Sequence, residues 1–197
     1  MKETMKEITL ASASPRRAEL LKQVGLSFRV VPSDVDESLI QHNSPEDLVL
    51  QLAKLKAENV AAQIESGYVI GADTVVVLDE EILGKPRGTT EAITMLTMLS
   101  GKEHSVYTGL AVIDLPENRV FAEVVETKVK FRELSQKEIE EYVASGEPFD
   151  KAGAYGIQGR GAIFVERIDG CYFNVVGLPI SKLIVMLQKI SNSQVLR

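Results

Sequence analysis

Tyr68-Val-Ile-Gly-Ala-Asp-Thr-Val-Val-Val77 is a β-branched apolar run, and its reading decides the rest of the chain. Runs of this kind fill central strands that are buried on both faces. In its middle stand Gly71, Ala72, Asp73 and Thr74. A carboxylate moved out of water without partners would sooner take up a proton than stay charged. Asp73 therefore sits at the mouth of a cleft where the strand surfaces, or meets something positive, or is an ordinary exposed acid at a strand end. Gly71 and Ala72 are small enough to let a ligand approach the backbone closely.

On the N-terminal side of this strand, Ile8-Thr-Leu-Ala11 reads as a short strand that Ser12-Ala-Ser14 turns into a helix. Ser14 is placed as its N-cap, Pro15 at the first helical position, and Gly25 closes it after Val24. Phe28–Val31 is a second strand, followed by a polar loop from Pro32 to Asn43 that carries Asp34, Asp36 and Glu37. Ser44-Pro45 opens a long helix to about Ile64. On the C-terminal side, Asp79-Glu-Glu81 turns the chain into Ile82-Leu83, and Gly84-Lys85-Pro86 breaks that segment. A helix then runs from Thr89 or Thr90 to Ser100-Gly101.

His104 to about Phe131 reads as a β-meander turning at Pro116-Glu-Asn118. Ser135-Gln-Lys-Glu138 is a capping box for a short helix to Ser145. Asp150–Gly161 is glycine-rich, Ala162–Ile168 reads as a strand and Leu178–Ile190 as the closing helix. Mixed strands and helices of this order predict an α/β fold with a mixed twisted sheet, in two lobes around a central cleft.

Composition narrows the function classes. The 197 residues suffice for one substantial core, and 45% apolar with 25% charged residues is an ordinary globular balance. A net charge of -6 argues against a general nucleic-acid or membrane-surface binder. The single cysteine, Cys171, excludes an internal disulfide and fits a reducing compartment. Met1 to Glu7 is too charged for a signal peptide and no apolar run reaches membrane-spanning length, so a cytoplasmic protein is expected. His42 and His104 stand in no metal-ligand spacing and read as structural or exposed.

Five stretches could carry chemistry. Ser12-Ala-Ser14-Pro15-Arg16-Arg17 leads from a strand into a helix N-terminus, whose unpaired N–H groups favour an anion. Two arginines there oppose the helix dipole unless an anion is bound; the alternative is a capped surface helix whose arginines pair with distant acids. On the long helix, projected at about 100° per residue, Leu48, Val49, Leu52, Ala53, Leu55, Val60 and Ile64 share one apolar face. Lys54 points away from that face, whereas Lys56 falls near its middle. A buried ammonium needs a partner or a polar cleft, so Lys56 either faces an anionic ligand or snorkels to a rim. Lys85 is held in a Gly-Pro turn after the Asp73 strand. The glycines at 153, 156, 159 and 161 depart from Walker and Rossmann spacings, and Gln158 among them carries an amide able to read a base edge, unless the stretch is a plain flexible hairpin. The acidic loop is normally just solvated, but it could supply a second carboxylate beside Asp73 for a hard cation such as Mg²⁺.

Set in order, these stretches resemble the Maf family of nucleoside triphosphate pyrophosphatases, once described as septum-formation inhibitors. The residues that carry the resemblance are Leu-Ala-Ser-Ala-Ser-Pro-Arg-Arg, Leu-Ala-x-x-Lys-Ala, Gly-Ala-Asp-Thr, Leu-Gly-Lys-Pro, Leu-Ser-Gly-Lys-x-His, Asp-Lys-Ala-Gly-Ala-Tyr-Gly-Ile-Gln-Gly and Val-Val-Gly-Leu-Pro. Together they cover nearly the whole chain, as a single domain of two lobes spanning residues 1–197. The resemblance implies a fold like that of inosine-triphosphate pyrophosphatases, commonly homodimeric. It implies hydrolysis between the α- and β-phosphates by a metal-activated water, with Mg²⁺ or Mn²⁺ as the cofactor. The family's proton acceptor falls on Asp73, its substrate-selecting positions on Arg16, Thr74 and Gln158, and its phosphate-handling residues on Ser12, Lys56 and Lys85. Asp73 and Glu37 are the implied metal ligands. Tyr-Gly-Ile-Gln looks like the branch acting on dTTP and UTP, not the one preferring 7-methyl-GTP, with modified pyrimidine triphosphates as further substrates. The competing expectation is a nucleotide-binding regulator of septum formation that does not turn its ligand over.

Overall fold

The central run forms the long strand that the reading required. A computed structural model describes residues 6–37 and 40–191. Residues 38 and 39 of the acidic loop, and residues 1–5 of the stretch read as too charged for a signal peptide, lie outside the described residues. In chain order the elements are β1 (Ile8–Leu10), α1 (Pro15–Gln23), β2 (Phe28–Val30), α2 (Pro45–Ala61), β3 (Gly67–Leu78), β4 (Glu81–Leu83) and α3 (Thr89–Leu99). They continue with β5 (Glu103–Leu115), β6 (Arg119–Phe131), α4 (Gln136–Ala144), β7 (Val165–Asp169), α5 (Tyr172–Val176) and α6 (Ile180–Ser191). The strands make one seven-stranded mixed sheet in the order β2-β1-β3-β5-β6-β7, with β4 paired to β3. No helix among the described residues is long and apolar enough to cross a membrane.

The chain divides into two compact units. One comprises the residues up to Asp73, Thr108–Val125 and those from Gly177 onward; the other comprises Thr74–Tyr107 and Glu126–Val176.

In the first unit β1 lies between β2 and β3 and is parallel to both, with Ile8 opposite Phe28 and Tyr68. Helix α2 starts as its Ser44-Pro45 signal requires: the Ser44 hydroxyl accepts from the Asp47 N–H at 3.2 Å. It ends at Ala61, three residues short of the expected Ile64. The helix lies almost on the strands beneath it. A Cβ added at Gly71 would stand 2.1 Å from the Ala53 carbonyl oxygen, and one at Gly109 2.0 Å from that of Val49. The surrounding core is built of small side chains, Ala11, Ala53, Ala57 and Ala111, with Val60, Val69 and Ile113. Gly71 is therefore small to admit α2, which corrects the expectation that it leaves room for a ligand.

The second unit is built around aromatic rings. Phe131 meets Tyr155 edge-on at 4.6 Å between centroids, and Tyr142 meets Phe164 at 4.9 Å. The β3–β4 hairpin turns through Asp79 and Glu80, both in the left-handed region at φ 49° and 70°. Helix α4 carries the expected capping box, with Ser135 and Glu138 each bonded to the other's backbone N–H. Two segments differ from expectation. The strand read at Ala162–Ile168 begins only at Val165, because Gly159–Phe164 coils into a 3-10 turn whose N–H groups are held by Glu147. A short helix, Tyr172–Val176, precedes the closing helix, which starts at Ile180 after Pro179 instead of at Leu178.

His104 is buried in this aromatic core, with Nε2 2.7 Å from the Tyr155 hydroxyl and no partner on Nδ1 among the described residues. Burial pulls its pKa down to about 4 from an ordinary 6.5. The unfolded chain takes up a proton as pH falls through 6.5 while the folded chain does not, so folding loses stability from there down to about pH 4. The loss amounts to about 3 kcal/mol across that window. Urea unfolding midpoints should fall accordingly between pH 6.5 and 4, and His104→Phe should flatten that slope. An unchanged slope in the variant would assign the acid sensitivity to other groups.

Candidate functional site

The expensive acid of the central strand has a cation against it. Lys56 Nζ donates to Asp73 Oδ1 at 2.6 Å, and the same nitrogen lies 2.7 Å from Glu37 Oε1. The Lys56 and Asp73 side chains are 11% and 13% exposed, Glu37 54%, so the pair is sunk and the second carboxylate stands at its rim. This geometry follows from the close approach of α2 to β3. Ala53 and Ala57 touch the strand at Gly71, which places Lys56 beside the residue two positions further along. Lys56 lies on the buried face of α2 with Val49, Leu52, Ala53, Ala57 and Val60. The two carboxylates take the place of the hydration its ammonium loses there.

Next to this pair stands a residue that sequence reasoning passed over in favour of its neighbour. Arg17 is buried, and its guanidinium joins three segments of the same unit. Nε donates to the Gly177 carbonyl at 2.8 Å, and Nη1 donates to the Ala72 carbonyl at 2.8 Å and to Ser12 Oγ at 3.0 Å. Burial draws its pKa down, with the charge of Asp73 acting in the opposite direction; an arginine stays protonated through such a shift. Arg17 thereby pins the peptide immediately before Asp73. The signal was present in the sequence: Arg17, Leu20 and Leu21 share the i, i+3, i+4 stripe that α1 buries.

Ser12 is also buried, its hydroxyl oxygen accepting from Arg17 and from the Ser14 N–H at 3.3 Å. Ser14 occupies the N-cap of α1 with Pro15 following, but its side chain makes no capping bond. Arg16, in the first turn, is half-buried. Ser12, Arg16, Glu37, Lys56 and Asp73 thus all belong to the first unit.

Thr74, Lys85 and Gln158 belong to the second. Thr74 is half-buried in β3. Lys85 is exposed, and its turn is tied to the glycine-rich stretch where the Gly153 N–H donates to the Gly84 carbonyl at 3.0 Å. Gln158 is exposed at the tip of that stretch.

Asp73 and Glu37 converge on a single nitrogen, so the two carboxylates are close enough to share one cation. Among the described residues no group of three or more His, Cys, Asp or Glu side chains converges. A pair of carboxylates completed by phosphate oxygens and water is the donor set that suits Mg²⁺ or Mn²⁺, and these residues fit it.

Fold and site together describe an α/β protein whose long central strand presents an acid to a lysine on the overlying helix. The family model for Maf-like proteins matches residues 7–190, and the chain belongs to the Maf family. It is 54% identical over 177 residues to a dTTP/UTP pyrophosphatase of Carboxydothermus hydrogenoformans, covering 90% of this chain and 95% of that one. A dTTP/UTP pyrophosphatase of Caldicellulosiruptor bescii is 51% identical over 190 residues, with 94% and 96% covered. Among solved structures, a HAM1 protein from Coxiella burnetii superposes with a TM-score of 0.51 at 15% identity, over 96% of this chain and 100% of that one. At that identity the likeness is one of fold alone.

Proposed function

We propose that this chain hydrolyses dTTP and UTP to the nucleoside monophosphate and pyrophosphate, and that pyrimidine triphosphates with modified bases are further substrates. The observation that carries the reading is the identity of about half of all residues, over nearly the full length, with relatives named for that activity. The first unit supplies chemistry suited to it. A triphosphate repels an incoming water until its charge is neutralised, and the cationic groups of Lys56 and Arg16 serve that need. Asp73 accepts the proton of the attacking water as its oxygen bonds to the α-phosphorus and the bond to the β-phosphate oxygen breaks. Ser12 contacts phosphate. A divalent cation bound by Asp73 and Glu37 supplies further neutralisation of the triphosphate.

In the second unit, Lys85 is a phosphate-binding cation, Thr74 contacts the nucleotide and Gln158 reads the base. A base that leaves the Gln158 amide unpaired is rejected strongly. Residence in the cytoplasm and assembly as a homodimer complete the reading, the latter checked by light scattering.

The test is a panel of dTTP, UTP, dCTP and GTP with Mg²⁺ or Mn²⁺. Monophosphate and pyrophosphate should appear in equal amounts from dTTP and UTP, and heavy oxygen from labelled water should enter the monophosphate. Chelation with EDTA should stop turnover. Orthophosphate as the product, or no turnover of any of the four, would reject the proposal.

A further inference from the structure

Glu147 is a half-buried acid that none of the chemistry above uses, and it is bonded on several sides. Its Oε2 accepts from the Arg160 N–H at 3.0 Å, and its Oε1 accepts from the Gly161 N–H at 3.3 Å and from the Tyr142 hydroxyl at 3.0 Å. The Tyr142 oxygen in turn accepts from the Gly156 N–H at 3.3 Å. The two side chains therefore hold both arms of the loop whose tip is Gln158: Gly156 before it, Arg160 and Gly161 after it. Burial pushes the Tyr142 hydroxyl above its ordinary pKa, so it keeps its proton and remains a donor to the carboxylate.

The loop is shaped to close on this pair. Gly159 has φ 66°, and a Cβ there would stand 3.0 Å from both Glu147 carboxylate oxygens. A Cβ at Gly161 would stand 2.4 Å from the Gly156 carbonyl and 3.0 Å from the Tyr142 hydroxyl. From the other side Lys151 Nζ donates to the Glu147 carbonyl at 2.6 Å and to Asp150 Oδ1 at 2.7 Å, while its stem packs against Gly156. The Gln158 side chain is exposed and has no hydrogen-bond partner among the described residues. The clamp leaves the Gln158 amide presented outward.

We infer that Glu147, acting with Tyr142 through the backbone of residues 156–161, is a positioning residue for base selection because it fixes where the Gln158 amide stands. This rests on the reading of Gln158 as the base-reading residue. A carboxylate suits the task because it accepts from two N–H groups and a hydroxyl at once. An amide in its place keeps the shape but has one accepting oxygen, and turns an NH₂ toward a donor.

The experiment is a cycle of E147Q, Q158A and the double variant, with kcat and KM measured for dTTP and dCTP and unfolding midpoints alongside. E147Q should lower the dTTP-over-dCTP ratio of kcat/KM about tenfold, the worth of one lost charge-assisted hydrogen bond. The change should lie mainly in the KM for dTTP. Y142F, which keeps the ring against Phe164, should shift the ratio in the same direction and serves if E147Q does not fold. In the Q158A background E147Q should have no further effect on the ratio, because the group it positions is gone. Multiplying effects in the double variant, or an E147Q that lowers kcat equally for both nucleotides, would overturn the positioning role alone. An unchanged ratio in Q158A would instead remove the reading of Gln158 and the inference with it.

Discussion

Asp73→Asn should abolish pyrophosphate release from dTTP while leaving the protein folded. Asparagine has nearly the shape of aspartate, and its carbonyl oxygen can still accept from Lys56 Nζ, which Asp73 Oδ1 now does at 2.6 Å. Lys56 also keeps its contact with Glu37 at 2.7 Å, so no bare ammonium is left in the fold. What the substitution removes is a group able to take a proton, together with the charge of one of the two carboxylates proposed to hold the cation. General-base catalysis is worth about a hundred- to ten-thousandfold, so a loss of about a thousandfold in kcat is expected. Steady-state release of pyrophosphate, read beside circular dichroism and a melting curve, separates this from unfolding. Activity within tenfold of the unaltered protein would remove Asp73 from the role of proton acceptor.

Gly71→Ala should damage both stability and activity although it adds one methyl group. That carbon would be 2.1 Å from the Ala53 carbonyl and 2.9 Å from the Ala57 nitrogen, both backbone atoms of α2. No rotamer change can relieve a contact between a Cβ and helix backbone, so the helix must lift from the strand. Overpacking a close-packed core costs about 1–3 kcal/mol, and a clash against backbone belongs at or above the top of that range. The same displacement carries Lys56 away from Asp73, and a shift of about 1 Å at a catalytic group can cost about a hundredfold. Gly84→Ala is the control, since a Cβ there meets nothing within 4 Å; its urea midpoint should stay close to that of the parent. Equal midpoints for the two variants would mean that α2 yields without cost.

The local content of the fold was legible because it obeys local rules. The β-branched run from Tyr68 has the pattern of a buried strand, and Ser44-Pro45 and the Ser135–Glu138 box start helices with their own side chains. The projection of α2 put Lys56 inward before its partner was known, since helical periodicity is a property of the chain alone. Elsewhere local pattern was overruled. Ala162–Ile168 has the composition of a strand, yet its first half coils because Glu147, more than ten residues away in sequence, captures the N–H groups of Arg160 and Gly161 just before it. Gly71 looked like room for a ligand and is room for a helix. Arg17 and Arg16 are neighbours of one type; the apolar stripe of α1 marks Arg17 as the inward one, and only the bonds reaching Ala72 and Gly177 show what it holds.

By itself, then, the sequence determined that a costly acid sits in a buried strand, that a lysine faces inward from a helix, and that glycines gather around Gln158. Each of these follows from side-chain chemistry and the repeat of one element. Only the tertiary structure decided that this lysine meets this acid, that Arg17 holds the strand beside it, and that Glu147 and Tyr142 clamp the glycine loop. The first two of these join helix to strand, across 17 and 55 residues of sequence, through close packing of helix on strand. That packing depends on the missing side chains of Gly71 and Gly109, and no periodicity along the chain records which backbone will come to rest against them.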